Sequence, residues 1–299
     1  AGDALTDADY NVAIGYAALT TDTKGSRSVA VGRSALESQN FTTATDTYNV
    51  AVGFDAGSRV TTGTNNTFIG GLAGDHTTTA SQNTAVGYNA LTANTTGAAN
   101  TALGFEALDS NTTASNNVGL GWRALYLNTT GTSNVAVGVS ALNAATTANN
   151  NVAVGHSAGA AITTGDQNTV VGTFALDAAT TAANNVAVGY LAGSAVTEGD
   201  LNVIAGALAG DALTTGTLNV ALGAFALSSA TTPASNVAVG YAALEETTTG
   251  DNNTGIGFKA GEAVTIGVQN TLIGSNAGDA LTEANYNVAV GHTALSADT

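Results

Sequence analysis

The side chains in this 299-residue sequence that could do acid–base or metal chemistry are three histidines, 22 acids and six bases. His76, His156 and His292 are far apart, and none is set at metal-site spacing from another, so a zinc or other metal centre is not expected. There is no cysteine, which removes thiolate nucleophiles, disulfides and Cys-type zinc sites. The acids are scattered through turn-like stretches and read as a solvated rim, not as paired general acid and base. Gly119-Leu-Gly121 and Gly70-Gly71 have the spacing of phosphate loops, yet no helix pattern follows to present its N-terminus. Asn94, Asn111 and Asn128 each open an Asn-Thr-Thr triplet, which fits both an N-glycosylation acceptor and an ordinary turn. These readings leave no catalytic residue, no cofactor and no metal, and the chain is expected not to be an enzyme.

Charge narrows the partners. A net charge of −16 opposes nucleic acid and anionic lipid, both of which need clustered Lys and Arg. No stretch of about 18 apolar residues is present to span a bilayer as a helix.

The element that organises the sequence is a repeat. Glycines recur at 15, 32, 53, 70, 87 and then every 17 residues to 291, with a single spacing of 21 between Gly32 and Gly53. Taking that glycine as position 0, position −4 is Asn11, Asn49, Asn66, Asn83, Asn100, Asn117, Asn134, Asn151, Asn168, Asn185, Asn202, Asn219, Asn236, Asn253, Asn270 and Asn287, with Ser28 the one departure. Position −3 is Val or Thr, −1 is aliphatic, +3 is Ala, and +8 is Thr save for Asn40, beside which Thr42-Thr43 could restore the hydroxyl. Helical solenoid repeats are about twice as long. Seventeen residues suit two short strands and two turns, one rung of a parallel β-solenoid. Stacked at about 4.8 Å, seventeen rungs would give a rod of about 80 Å.

Alternation in Asn-Val-Ala-Val-Gly puts −3 and −1 on one face and −4, −2 and 0 on the other. The Val/Ile side is expected to fill the coil, and the Ala/Gly side to form a smooth outer face. Packing leaves a second trace. Position +4 is Leu or Gly, and where it is Gly a large aliphatic stands at +7: Val60, Ile162, Val196, Leu213, Val264 or Leu281. The remaining Gly rung has Thr77 at +7 and Phe68 at −2. One core slot is thus filled from either side of a turn, as close packing requires. Asparagines at −4 are expected to stack as an amide ladder.

Residues 100–116 and 117–133 carry the consensus most clearly. The pattern resembles the head repeats of trimeric autotransporter adhesins, and the 17-residue repeats of phage tail fibres and bacterial surface proteins. That resemblance implies a left-handed parallel β-roll, three chains about a common axis, and a place outside the cell or on a virion. The chain therefore reads as one continuous all-β array over 1–299, a window of a longer fibre, acting as a stiff spacer. Its expected partners are its own copies as a homotrimer, head-to-tail continuation of the fibre, and a cell-surface receptor or glycan.

A binding site should interrupt the pattern, and one region does. Four extra residues lie between Gln39 and Tyr48, near Arg27, Arg33, Phe41 and Arg59, where Lys24 also falls. These form the candidate contact region of an adhesin reading. Paired threonines raise a third option, an ice-binding solenoid, which their adjacency disfavours because neighbours in extended chain face opposite ways.

Overall fold

The computed structural model describes residues 1–296. The fold is an all-β parallel solenoid whose rungs are 17 residues apart, with no helix among the described residues. Two compact units, Ala1–Asn149 and Asn150–Thr299, are built from this same rung. In the first, the strands run in chain order from Val12–Ile14 to Val135–Val137, each parallel to the next. In the second they run from Val152–Val154 to Val288–Val290 in the same way. Each ordinary rung carries one three-residue strand at −3 to −1, where two short strands were expected. The remainder turns too tightly for a second, with left-handed backbone at +2 and +4, as at Ala17 and Leu19.

Which side is inside differs from the expectation. Position −2 is buried in every strand away from the first, while −3 and −1 are half-buried or exposed. The Val/Ile side therefore faces outward and the Asn/Ala side inward. The cause is the asparagine: it closes hydrogen bonds inside the coil, and period-2 alternation then carries Ala inward with it. Glycine at 0 forms no smooth outer face either. Its φ lies near +140° in most rungs, and a Cβ at Gly189 would sit 2.5 Å from the Gly206 carbonyl oxygen. Position 0 is a corner that only glycine can turn.

The interior is a fitted stack. Leu at +4 is buried in every rung that has it except the last, where Leu295 is half-buried, and Val60, Ile162, Val196, Leu213 and Val264 at +7 are buried as well. Leu91 holds φ 57° to get there. Left-handed backbone costs a non-glycine residue roughly 1–2 kcal/mol, and burying a leucine returns about 1.5–3 kcal/mol, so the corner is affordable. Where +4 is glycine, a large −2 side chain uses the space. Phe68 fills the room beside Gly57 and Gly74, Ile204 lies against Gly193 and Gly210, and Leu272 lies against Gly261 and Gly278. The reverse holds at Gly119 and Gly255, where Leu108 and Leu244 occupy what a Cβ would need.

Candidate interaction surface

Ladders inside the coil define what remains for the outside. Asn66 donates its backbone N–H to Asn49 Oδ1 (2.9 Å), and its Nδ2 donates to the Ala80 carbonyl (2.9 Å). The same pair of bonds recurs at Asn83, Asn100 and Asn117 in the first unit. It recurs at Asn168, Asn185, Asn202, Asn219, Asn236, Asn253 and Asn270 in the second. Asn134 joins Asn117 and Ala148, and Asn151 donates to Gly165. All are buried except Asn11 and Asn287. At position +8, Thr95 Oγ1 donates to the Thr112 carbonyl and Thr112 Oγ1 to that of Thr129, each at 3.0 Å.

Two further ladders escaped the sequence reading. Residues at +11 cap the rung before them: Asn149, Asp200, Asp251 and Asn285 accept from the backbone N–H of residues 132, 183, 234 and 268. Asn94, Asn111 and Asn128 at +7 form a short buried amide ladder, with Asn111 Nδ2 to Asn94 Oδ1 at 3.0 Å and Asn128 Nδ2 to Asn111 Oδ1 at 2.9 Å. Their amides are enclosed in the folded coil, which leaves the turn reading of these triplets and removes the glycosylation one.

The longer rung is joined through Gln39. Its Nε2 donates to buried Asp22 (2.6 Å) and to Ser28 Oγ (2.9 Å), and its Oε1 accepts from Asn49 Nδ2 (2.8 Å). Ser28 Oγ also lies 2.6 Å from Thr47 Oγ1. One long amide thus carries the polar interior across the rung that lacks its asparagine. Phe41 is a correction. It is buried, not a contact residue, because its N–H bonds Asp22 Oδ1 and its ring escapes water in the room the longer rung opens. Thr23 Oγ1 bonds the Phe41 carbonyl, so Thr42 and Thr43 stay exposed and do not restore the hydroxyl column.

Arg27 is outward but engaged. It pairs with Asp46 at 2.9 Å and lies over Tyr10 and Tyr48, at 5.0 and 5.9 Å from their ring centres. Asp46 raises its pKa, chiefly by hydrogen bonding. Arg33 reaches Asp55 at 3.6 Å and covers Phe54, and Arg59 is exposed. The structure therefore builds one cluster at Arg27 and a separate pair at Arg33.

Outside the coil, the regular surface is apolar along one side. Ile14, Ile69, Leu103, Val154, Val171, Val188, Leu222, Ile256 and Ile273 at −1 are all substantially exposed. Beside them runs position +1, with Tyr16, Phe54, Tyr88, Phe105, Trp122, Tyr190, Tyr241 and Phe258 exposed. Tyr88 stacks on Phe105 and Tyr241 on Phe258, 5.7 and 5.5 Å between ring centres. Arg123 lies over Trp122 (4.6 Å) and Tyr126 (4.9 Å) and pairs with Glu106 at 2.6 Å. Burial, and then nearby Glu106, push Asp109 above the usual carboxylate range. Burial does the same to Asp177 and Asp211. No group of three or more metal-ligating side chains occurs among the described residues.

Comparison with known protein families and with characterised proteins finds no match to this chain.

Proposed function

We propose that the chain is a structural, non-enzymatic segment of a fibre exposed on a cell or virion surface, whose copies associate as a homotrimer through the outward Val/Ile side. The observation that carries this reading is the aliphatic column at −1, flanked by Val or Thr at −3, that the rungs leave exposed or half-buried. A soluble monomer rarely exposes so long a contiguous apolar patch. Completing the burial of one half-exposed Val or Ile contributes on the order of 1 kcal/mol. Association costs about 4–15 kcal/mol in lost freedom, so a handful of rungs suffices and the remainder fixes the contact. The number three follows the resemblance to trimeric adhesin heads.

Backbone bonds that join each rung to the next give such a segment stiffness along its length, and the acidic rim keeps assembled fibres from clumping. A receptor or glycan contact at the longer rung is the second reading, favoured by Tyr10 and Tyr48 flanking Arg27 beside the one rung whose length departs from the repeat.

Light scattering of the 299-residue chain tests the reading. A mass of three times 29.1 kDa is expected, and replacing Val152, Val154, Val186 and Val188 by Lys should yield a folded monomer. A wild-type mass of one chain at every concentration overturns it.

A further inference from the structure

A repetitive contact face has a weakness: it does not define its own register. If Val meets Val at every rung, sliding one copy by one rung replaces each contact with a near-identical one. Register is weakly specified wherever a sheet is uniform, and repetitive assemblies fix it with a few residues that break the pattern. The columns of the first unit come close to this: from Val29 and Val31 through Val135 and Val137, position −3 is Val or Thr, which have nearly the same shape, and −1 is Val, Ile or Leu.

Among the rungs of ordinary length in the first unit, the surface pattern is broken around one. Trp122, the only tryptophan, is 44% exposed, and Phe105 (44%) and Tyr88 (50%) precede it on the two rungs before. Arg123 is held between Trp122 and Tyr126 and tied to Glu106 on the preceding rung. Leu127 is exposed beside Tyr126, and Leu103 is exposed in the −1 column. Trp, Tyr and Arg are the side chains that dominate binding hot spots, because they bring large rigid area together with a polar handle. Here the guanidinium is held in place by two rings and a carboxylate, so little freedom is lost when a partner covers it.

Resting on the self-association reading above, we infer that the cluster of Trp122, Arg123, Tyr126 and Glu106 is the register key of the contact, and that its partner is the same region of a second copy. The occupant follows from periodicity. The cluster sits within columns that repeat at every rung, so a partner covering both must repeat with the same rise, which another copy does by construction. In register, the cluster of one copy meets its equivalent in another. One rung out of register, Trp122 and Arg123 face Phe105 or Val139, and the ring–guanidinium surfaces no longer match.

The absence of cysteine makes a direct test possible. Val52→Cys and Ile69→Cys place single thiols at −1 on adjacent rungs of the same unit. Each variant is oxidised alone, and the two are also mixed, unfolded, refolded together and oxidised. Same-site disulfides should exceed mixed-site ones at least tenfold. Adding Trp122→Ala with Arg123→Ala should bring the two products within about twofold, while the oligomer mass and far-ultraviolet spectrum persist. Tyr190→Ala, which removes an exposed ring without a paired arginine, should leave the tenfold preference. If the oligomer forms and the preference survives Trp122→Ala/Arg123→Ala, the register assignment is wrong and self-association stands. A chain that stays monomeric overturns both.

Discussion

Asn185→Ala should be among the most damaging single truncations in the second unit. Asn185 Oδ1 accepts the Asn202 backbone N–H at 2.9 Å and its Nδ2 at 3.2 Å, while Asn185 Nδ2 donates to the Gly199 carbonyl at 2.9 Å. Alanine leaves that N–H and that carbonyl inside the coil, where water does not reach them. Each stranded buried group costs about 1–3 kcal/mol. Two of them, with the small cavity left behind, give an expected loss of about 3–5 kcal/mol. Thr197→Ala is the matched control. It removes one hydroxyl bond of 3.3 Å at a half-buried position, which should cost under about 1 kcal/mol. Urea unfolding of the full chain reads both through the midpoint, provided the slope is unchanged. Hydrogen exchange at the Asn202 amide reads the local consequence. The ladder account fails if Asn185→Ala and Thr197→Ala shift the midpoint equally, or if the Asn202 amide stays fully protected in Asn185→Ala.

Three other outcomes follow from the same rungs. Gly189→Ala should cost several kcal/mol by thermal unfolding, since its φ of 137° and the nearby Gly206 carbonyl both exclude a Cβ; a melting point within a degree of wild type would contradict this. Phe68→Ala should cost about 3–5 kcal/mol, and adding Gly74→Leu should recover part of it, because Gly74 already has the left-handed backbone that Leu91 adopts one rung later; no recovery would refute the shared-slot account. Asp211→Asn should stabilise the chain slightly at neutral pH. Burial raises the Asp211 pKa in the folded state, so folding favours the protonated form, and the penalty for the charge is absent at acid pH and grows as pH rises through the folded pKa. The advantage of Asn, which already occupies this rung position as Asn143, should therefore vanish below the carboxylate range; an equal advantage at pH 3 and pH 7 would refute it.

The period, the fold class and the trade between +4 and +7 were all legible in the sequence, because each is a relation among residues at fixed spacing. The inside and outside of the strand were not, because Val is apolar and reads as core. A better signal was present. Phe68, Val170, Ile204 and Leu272, the large residues at −2, each follow a rung with glycine at +4, namely Gly57, Gly159, Gly193 and Gly261. Size exchange of this kind happens only in a packed interior, so it marks −2 as inward and turns Val outward. Phe41 misled for the opposite reason: an insertion reads as exposed loop, yet its one aromatic found room inside. Gln39 could not be foreseen as a bridge, since its role depends on Asp22, Ser28 and Asn49 converging from three rungs.

The proposal that copies meet through their Val/Ile sides is tested most directly by electron cryomicroscopy of the assembled chain viewed along the solenoid axis. Three coils in contact, with the −3 and −1 side chains between them and the exposed threonines that follow the +8 column, such as Thr96 and Thr113, facing solvent, is the predicted cross-section. A lone coil, or coils touching through the threonine side with Val and Ile left in water, would contradict it.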